Sequence, residues 1–409
     1  MRVWQNGPAL KKYLIFTTCL MLLIFWPIQA QEIAQSSSGP APDEHITLPE
    51  RFTTISETNY MNELALRGLQ LDTQGLLVES LDGSAVLADL NSSIGFNPAS
   101  VTKIATSFAA LFKWGPDYHF ETAFLADGTI NPKTRTLNGD LILQTAGDPM
   151  LTSVDFTRLI RQVLAAGVSR VTGDLVITGP FTYNAFLSTD VAMKRGEALM
   201  RKLGIRFTGS ATRGTVRGTK IATHMSSALR DIIFVQNAHS VNQTAERLGE
   251  SVGGPKGVEK FLVKEIGLSA SEVSLTHTSG LDYNRITPKG TIAMFRHLMT
   301  WLNLHNMLPE DIMPVAGVDP GTLHARLTST DSRGAVVAKT GTLPGTDGGV
   351  SALAGIMYTR DRGPVLFAIF NTRGPVNTYR RMQDDLLKDL LAECGGSQMV
   401  SASARRSNN

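Results

Sequence analysis

Three short stretches of this chain carry residue types that do chemistry together. Ser100 and Lys103 stand three residues apart in "PASVTK", Ser240 and Asn242 flank Val241 in "HSVN", and Lys339, Thr340, Gly341 and Thr342 form "KTGT". A serine hydroxyl is a poor nucleophile until a base removes its proton. Lys103 is such a base if burial and a cationic neighbour, for which Lys339 is the candidate, lower its pKa. Ser240 would then bridge the two lysines and carry the proton to a leaving amine. Asn242 would hold Lys103 and a substrate amide carbonyl. A serine at a helix start keeps its own N–H free for an oxyanion hole, and Thr342 is expected to supply a second N–H. Losing one such donor costs on the order of 10²–10³ in rate. Lys339, Thr340 and Thr342 also offer a cation and hydroxyls to a terminal carboxylate.

Each fragment alone is weak. Chance supplies about one S-x-x-K in a chain of ordinary composition and on the order of 0.1 K-T-G. S-x-N recurs at Ser407. A bland reading also fits the first pair, with Ser100 capping a helix and Lys103 snorkelling to water. Order and context argue for more. Val101, Ile104, Ala105, Phe108, Leu111 and Phe112 recur at helical spacing after Ser100, with Pro98 before and Gly115 after. The S-x-N lies between helical patterns, and the K-T-G lies on a strand-like run ahead of a glycine-rich turn.

The elements that must position these residues are readable along the chain. A helix is expected near residues 59–69, then a hairpin about Asp82 and Gly83. Helical spacing appears on both sides of Ser240, in "PKGVEKFLVKEIGL", in "TPKGTIAMFRHLMTWLN" and in "NTYRRMQDDLLKDLLAE". Two further strands follow the K-T-G strand. Residues 116–222 differ in texture and read as a smaller α+β insert. Within it "NGDLIL" and "TGDLVI" resemble each other, as a weak repeat whose Gly-Asp pairs are turn residues. The pattern as a whole is a mixed sheet with helices on both faces.

Of the 409 residues, 42% are hydrophobic and 18% charged, an ordinary globular composition. The formal charge of +3 is matched by Arg2, Lys11 and Lys12, in a segment of thirty residues without an acid. No concentrated basic face points to nucleic acid. Residues 1–30 read as an export signal: a basic start, an apolar run too short for a comfortable span, and Ala30 at the cleavage point. An uncleaved anchor is the alternative. Either way the chain is expected outside the cytoplasm, in the periplasm, with a weak membrane or wall association possible in principle. Residues 31–50 read as a linker and 394–409 as a disordered tail, leaving 51–115 and 223–393 for the catalytic domain. After cleavage Cys394 is the one cysteine, so no internal disulfide is expected. No metal-binding pattern occurs, and no cofactor is expected.

The ordered set S-x-x-K, S-x-N, K-T-G resembles that of penicillin-binding proteins and class A β-lactamases. With "AGDPMLT", "SGLDYNRITP" and "AKTGTLPG", the chain resembles the D-Ala-D-Ala carboxypeptidase/endopeptidase family of low-molecular-mass penicillin-binding proteins, the peptidase S13 type, over roughly residues 50–392. That resemblance implies a mixed α/β (α+β), β-lactamase/transpeptidase-like fold: an antiparallel five-stranded sheet flanked by helices, with the insert between the first two motifs. It implies Ser100 as the acylated nucleophile, Lys103 as its base, Ser240 and Asn242 as the second catalytic element, and residues 339–342 as the substrate strand. It implies peptidoglycan peptides as substrates and β-lactams as covalent inhibitors. Val241 and His277 depart from the family pattern; Val241 is expected to point away from substrate and His277 to be a half-buried turn residue. Two other readings compete: a catalytically idle wall-binding protein on this fold, and a β-lactamase or esterase, for which no deacylating glutamate can be placed.

Overall fold

The computed structural model describes residues 49–184 and 188–400. The expected signal, nearly all of the expected linker and residues 401–409 of the tail lie outside them. The first block holds β1 (Glu50–Arg51), α1 (Ile55–Leu66), β2 (Gln74–Ser80), β3 (Ala85–Leu90), a 3-10 turn at Ala99–Val101 and α2 (Thr102–Trp114). Helix α1 starts ahead of the expected residue 59 because the Thr54 hydroxyl accepts from Glu57 N at 3.1 Å and caps it there. The hairpin turns at Asp82 and Gly83 as expected, with Gly83 at φ +77°.

The second block holds β4 (Glu121–Asn131), β5 (Thr136–Thr145), α3 (Ser153–Ala165), β6 (Arg170–Val171), β7 (Leu175–Thr178), α4 (Thr189–Lys202), β8 (Arg206–Phe207), β9 (Ala211–Arg213) and β10 (Thr219–Met225). The third holds α5 (Leu229–His239), α6 (Asn242–Ser251), α7 (Gly254–Lys264), β11 (Val273–Ser274), β12 (Arg285–Ile286), α8 (Pro288–Leu304), β13 (Val336–Leu343), β14 (Val350–Thr359), β15 (Gly363–Asn371) and α9 (Val376–Glu393).

The principal sheet runs β1-β3-β2-β15-β14-β13. Five strands form the expected antiparallel ladders, and the two-residue β1 adds a sixth, parallel to β3. Both faces are apolar, so strands alternate between two cores rather than between core and water. In β15, Leu366, Ala368 and Phe370 join Ile104 and Phe108 of α2 and Phe295 of α8. Val365, Phe367 and Ile369 join Leu64 of α1 and Leu387 of α9. Strand β13 closes one end of the sheet: the start of its outer edge bonds the 314–316 segment, and Thr340 and Thr342 further along line a cleft.

The second sheet has its own core, in which Phe156, Leu159 and Ile160 of α3 pack on Phe124, Leu141 and Leu175. Its repeat has a third copy. Strand β5 pairs in parallel with β6 and β7, which pair in parallel with β8 and β9. Gly173 N donates to Gly139 O at 2.9 Å, and Gly209 N to Gly173 O at 3.1 Å. Asp140 Oδ1 accepts from Asp174 N, and Asp174 Oδ1 from Ser210 N, each at 2.8 Å. The Gly-Asp pairs are thus more than turn residues, since each carboxylate holds the next coil. Ser210 replaces the aspartate in the last copy, which hides it from a search for Gly-Asp. Strand β10 runs to Met225, past the expected boundary at 222.

The expectation of a disordered tail from 394 is corrected. Cys394 is buried, Arg360 N donates to Gly396 O, Gln398 N to Tyr358 O and Val400 N to Gly334 O, so residues 394–400 are held against β14 by backbone bonds. Phe112, expected in the helical core stripe, is 50% exposed and packs at a tilt against Phe261, ring centroids 5.4 Å apart.

Candidate active site

The backbone ahead of α2 is shaped before any side chain acts. Asn97 Oδ1 accepts from Ala99 N at 3.0 Å, and Ala99 sits in the left-handed region at φ +45°, which an alanine rarely occupies. Two glycines leave the space for this turn. A Cβ on Gly280 would lie 1.9 Å from Ala99 O, and one on Gly341 would lie 2.5 Å from Pro98 O. The turn is therefore clasped between the 278–280 loop and the K-T-G strand, with Ser100 presented at the start of α2.

Lys103 does not snorkel: it is completely buried. Its Nζ donates to Ser100 Oγ at 2.9 Å, to Asn242 Oδ1 at 2.7 Å and to Ser279 O at 2.6 Å. Those bonds use all three protons of an ammonium. Burial drives its pKa down to about 7, against the opposing pull of the Glu246 carboxylate. Lys339 is buried too, and its Nζ donates to Ser240 Oγ at 3.0 Å and to Thr340 O at 2.8 Å. Burial, then the charge of Lys103, press Lys339 well below its ordinary range. Burial is thus the leading cause at both lysines, and their mutual repulsion adds to it.

Ser240 ends α5 in the left-handed region at φ 56°, ψ 44°, which turns its hydroxyl toward Lys339. The expected bridge between lysines is half made, because the protons of Lys103 go elsewhere. Asn242 opens α6 directly after this bend. Val241 is half-buried and does not line the cleft that holds Ser100 and Ser240. His277 is a half-exposed turn residue whose ring lies 3.3 Å from the Asp282 carboxylate. Thr340 and Thr342 line the same cleft, of about 410 Å³, and Gly341 faces the Ala99 turn.

The D-Ala-D-Ala carboxypeptidase 3 (S13) family profile matches residues 62–180 and 188–390. The chain belongs to that family. It is accordingly a D-Ala-D-Ala peptidase of the S13 type. D-alanyl-D-alanine carboxypeptidase DacB of Haemophilus influenzae is 23% identical over 72% of this chain and 84% of that protein. Carboxypeptidase DacB of Mycolicibacterium smegmatis is 27% identical over 78% and 80%. The crystal structure of penicillin-binding protein 4 from H. influenzae overlays with a TM-score of 0.67 at 23% identity, over 78% of this chain and 96% of that one. A predatory peptidoglycan endopeptidase from Bdellovibrio bacteriovorus overlays at 0.66 and 17%, over 80% and 94%. These overlays establish the fold.

Several residues around this candidate site escaped the motif reading. Glu246 accepts from Ser279 N at 3.0 Å and from Thr278 Oγ1 at 2.8 Å, holding the loop whose carbonyl receives Lys103. Its signal was readable, since an acid four residues after Asn242 shares that helix face. Thr322, from a loop remote in sequence, bonds Thr340 Oγ1 at 2.8 Å. Arg380 of α9 donates to Thr342 Oγ1 at 2.9 Å. Neither had a local signal. The insert also reaches the site: Thr244, two residues past Asn242, donates to Met150 Sδ at 3.4 Å. Among the described residues no group of His, Cys, Asp and Glu could hold a metal ion.

Proposed function

We propose that Ser100 is the nucleophile and Lys103 the base of this peptidase, acting on the D-Ala-D-Ala end or the D-Ala crosslink of peptidoglycan stem peptides. The observation that carries this reading is the 2.9 Å bond between Lys103 Nζ and Ser100 Oγ inside a buried site that brings the lysine to about 7. The neutral amine takes the hydroxyl proton as Oγ attacks the carbonyl of the penultimate residue. The oxyanion forms beside the Ser100 and Thr342 N–H groups. As the C–N bond breaks, Ser240, bonded to Lys339, passes the proton taken up by Lys103 on to the leaving amine, which leaves Lys103 neutral again. The acyl-serine is released by water, whose proton goes to Lys103 as Oγ departs and takes one back.

Reaction with β-lactams follows from the same geometry, because the strained amide places its carbonyl and carboxylate where the peptide has them. Related proteins support this: the H. influenzae protein has been solved with a β-lactam, and the Bdellovibrio endopeptidase has been solved acylated by penicillin G. The separate core of the second sheet supports a catalytic domain split around an inserted one. An exported, periplasmic location rests on residues 1–30 and on the substrate; no helix among the described residues is long and apolar enough to cross a membrane.

The test is labelling of the purified protein with a fluorescent penicillin, beside Ser100→Ala. A covalent band in the parent that vanishes in a variant of unchanged melting temperature supports the acyl-serine route, as removing a helix-start serine costs only about 1 kcal/mol. A folded parent without a band would return the chain to the idle wall-binding reading.

A further inference from the structure

Three non-glycine residues in the left-handed region meet around one buried side chain. Ala99 at φ +45°, Asp282 at φ +59° and Asp347 at φ +49° come from the turn before α2, the loop after Gly280 and the β13–β14 connection. Asn97 stands between them and is buried. Its Oδ1 accepts from Ala99 N at 3.0 Å, and its Nδ2 donates to Asp282 O at 2.7 Å and to Asp347 Oδ2 at 2.8 Å. The Asp347 carboxylate is itself fixed. Arg285 grips it as a fork, Nη1 to Oδ2 at 3.0 Å and Nη2 to Oδ1 at 2.9 Å. The same Nη1 donates to Asn284 O at 2.8 Å, and Asn284 Nδ2 donates to Thr102 Oγ1 at 3.2 Å, at the start of α2. These bonds close a ring that leaves the chain at Ala99, passes through Asp347 and returns at Thr102. Ser100 lies on the arc of chain so enclosed.

A left-handed alanine persists only where its surroundings over-determine it. The Asn97 amide does this at Ala99, and it fits in one orientation, since its oxygen has a donor to meet and its nitrogen two acceptors. One of those acceptors is Asp347. With Asn97, Asp347 and Arg285 line a hollow of about 270 Å³, which shares no lining residue, among those described, with the cleft that holds Ser100. Neither charge therefore lies in the wall that a substrate at Ser100 would meet. Resting on the assignment of Ser100 as nucleophile, we propose that Asp347 is a positioning residue for acylation: through Asn97 it holds the Ala99 turn in the geometry that sets Ser100 Oγ against Lys103. Arg285 supplies the opposite charge that keeps the carboxylate in place. The 2.9 Å bond between Lys103 and Ser100 leaves little tolerance, because displacing a reacting group by about 1 Å can cost on the order of 10² in rate. The loop after the K-T-G strand thereby ties the expected substrate strand to the turn that presents the nucleophile.

The experiment follows labelling by a fluorescent penicillin over a range of concentrations in the parent, Asp347→Ala, Asp347→Asn, Asn97→Ala and the double variant of Asn97→Ala with Asp347→Ala. It reads the limiting acylation rate, the penicillin concentration that gives half of it, and the fraction of protein labelled at completion. In Asp347→Ala the limiting rate should fall roughly ten- to a hundredfold, while the half-saturating concentration and the labelled fraction hold. Asp347→Asn keeps an acceptor for Asn97 and should lose less. Because both residues act through one turn, the double variant should be scarcely slower than Asn97→Ala. A lower labelled fraction at an unchanged rate would make Asp347 a merely structural residue and overturn the inference, as would losses that multiply in the double variant. If Asp347→Ala does not fold, Asp347→Asn decides, because a disturbed Arg285 fork must still slow acylation at an unchanged half-saturating concentration. A parent that is not labelled at Ser100 overturns the nucleophile assignment and this inference together, whereas a labelled parent whose rate the Asp347 variants leave alone overturns the positioning role alone.

Discussion

Lys103 has as many acceptors as protons when charged: Ser100 Oγ, Asn242 Oδ1 and Ser279 O. The neutral form must give one bond back, and Ser100 is the partner able to become the donor. Activity should therefore rise with pH as Lys103 loses its proton near 7. The ionisable groups around it are Glu246 on α6, Lys339 on β13 and, against Glu246, His277. Glu246 favours the ammonium, so Glu246→Gln lowers the lysine pKa and moves the rising limb of kcat/KM to more acid pH. A limb that stays in place in a folded variant would disprove this coupling. How much of the site was readable in sequence divides here. Ser100, Lys103, Ser240, Asn242 and the K-T-G strand were legible because motif chemistry constrains residue type at short spacing. Thr322 and Arg380 were not, because their place depends on loops and helices meeting across the fold.

At the scale of elements, the serine is positioned by contacts it does not make. The turn ahead of α2 fits only because Gly280 and Gly341 have no side chains. Gly280 also sits at φ +87°, where an L side chain is strained. Gly280→Ala should lower stability by about 1–3 kcal/mol, from strain and overpacking, and reduce penicillin labelling more than the fall in melting temperature explains. The paired measurement of melting temperature and labelling rate checks it. Periodicity made α2, α8 and α9 legible, but it could not show this clasp, since a glycine's role depends on what approaches it. The same blindness applied to the insert. The Gly-Asp pairs were visible as turns, yet the bond from each carboxylate to the next coil joins residues a whole coil apart. Asp174→Ala should cost about 0.5–1.5 kcal/mol by removing the solvent-exposed bond to Ser210 N, while the rate of labelling at Ser100 holds. A melting curve and a labelling time course on one preparation test both halves.

Across the whole molecule, two buried lysines tie folding to protonation. Each has a folded pKa below the 10.5 of an exposed lysine, so the unfolded chain binds more protons between about 7 and that value. These two lysines make stability rise with pH across that window, while the buried Cys394 thiol and Tyr60 hydroxyl, both pushed up by burial, oppose them towards its upper end. Lys103→Met should flatten the rise, measured as denaturant midpoint against pH. The tail from Cys394 to Val400 belongs to the same account of the whole: it looked polar and free in sequence, yet backbone bonds to Tyr358, Arg360 and Gly334 hold it. The coils of the second sheet carry a different implication. Each is laid on the one before by the same few bonds, like courses of brick, and the last course ends in Ser210 where an aspartate would receive another. A wall made this way changes height by whole courses without disturbing its foundation. Its lineage could alter the reach of the flank above the serine in discrete steps, while the chemistry below stayed as it was.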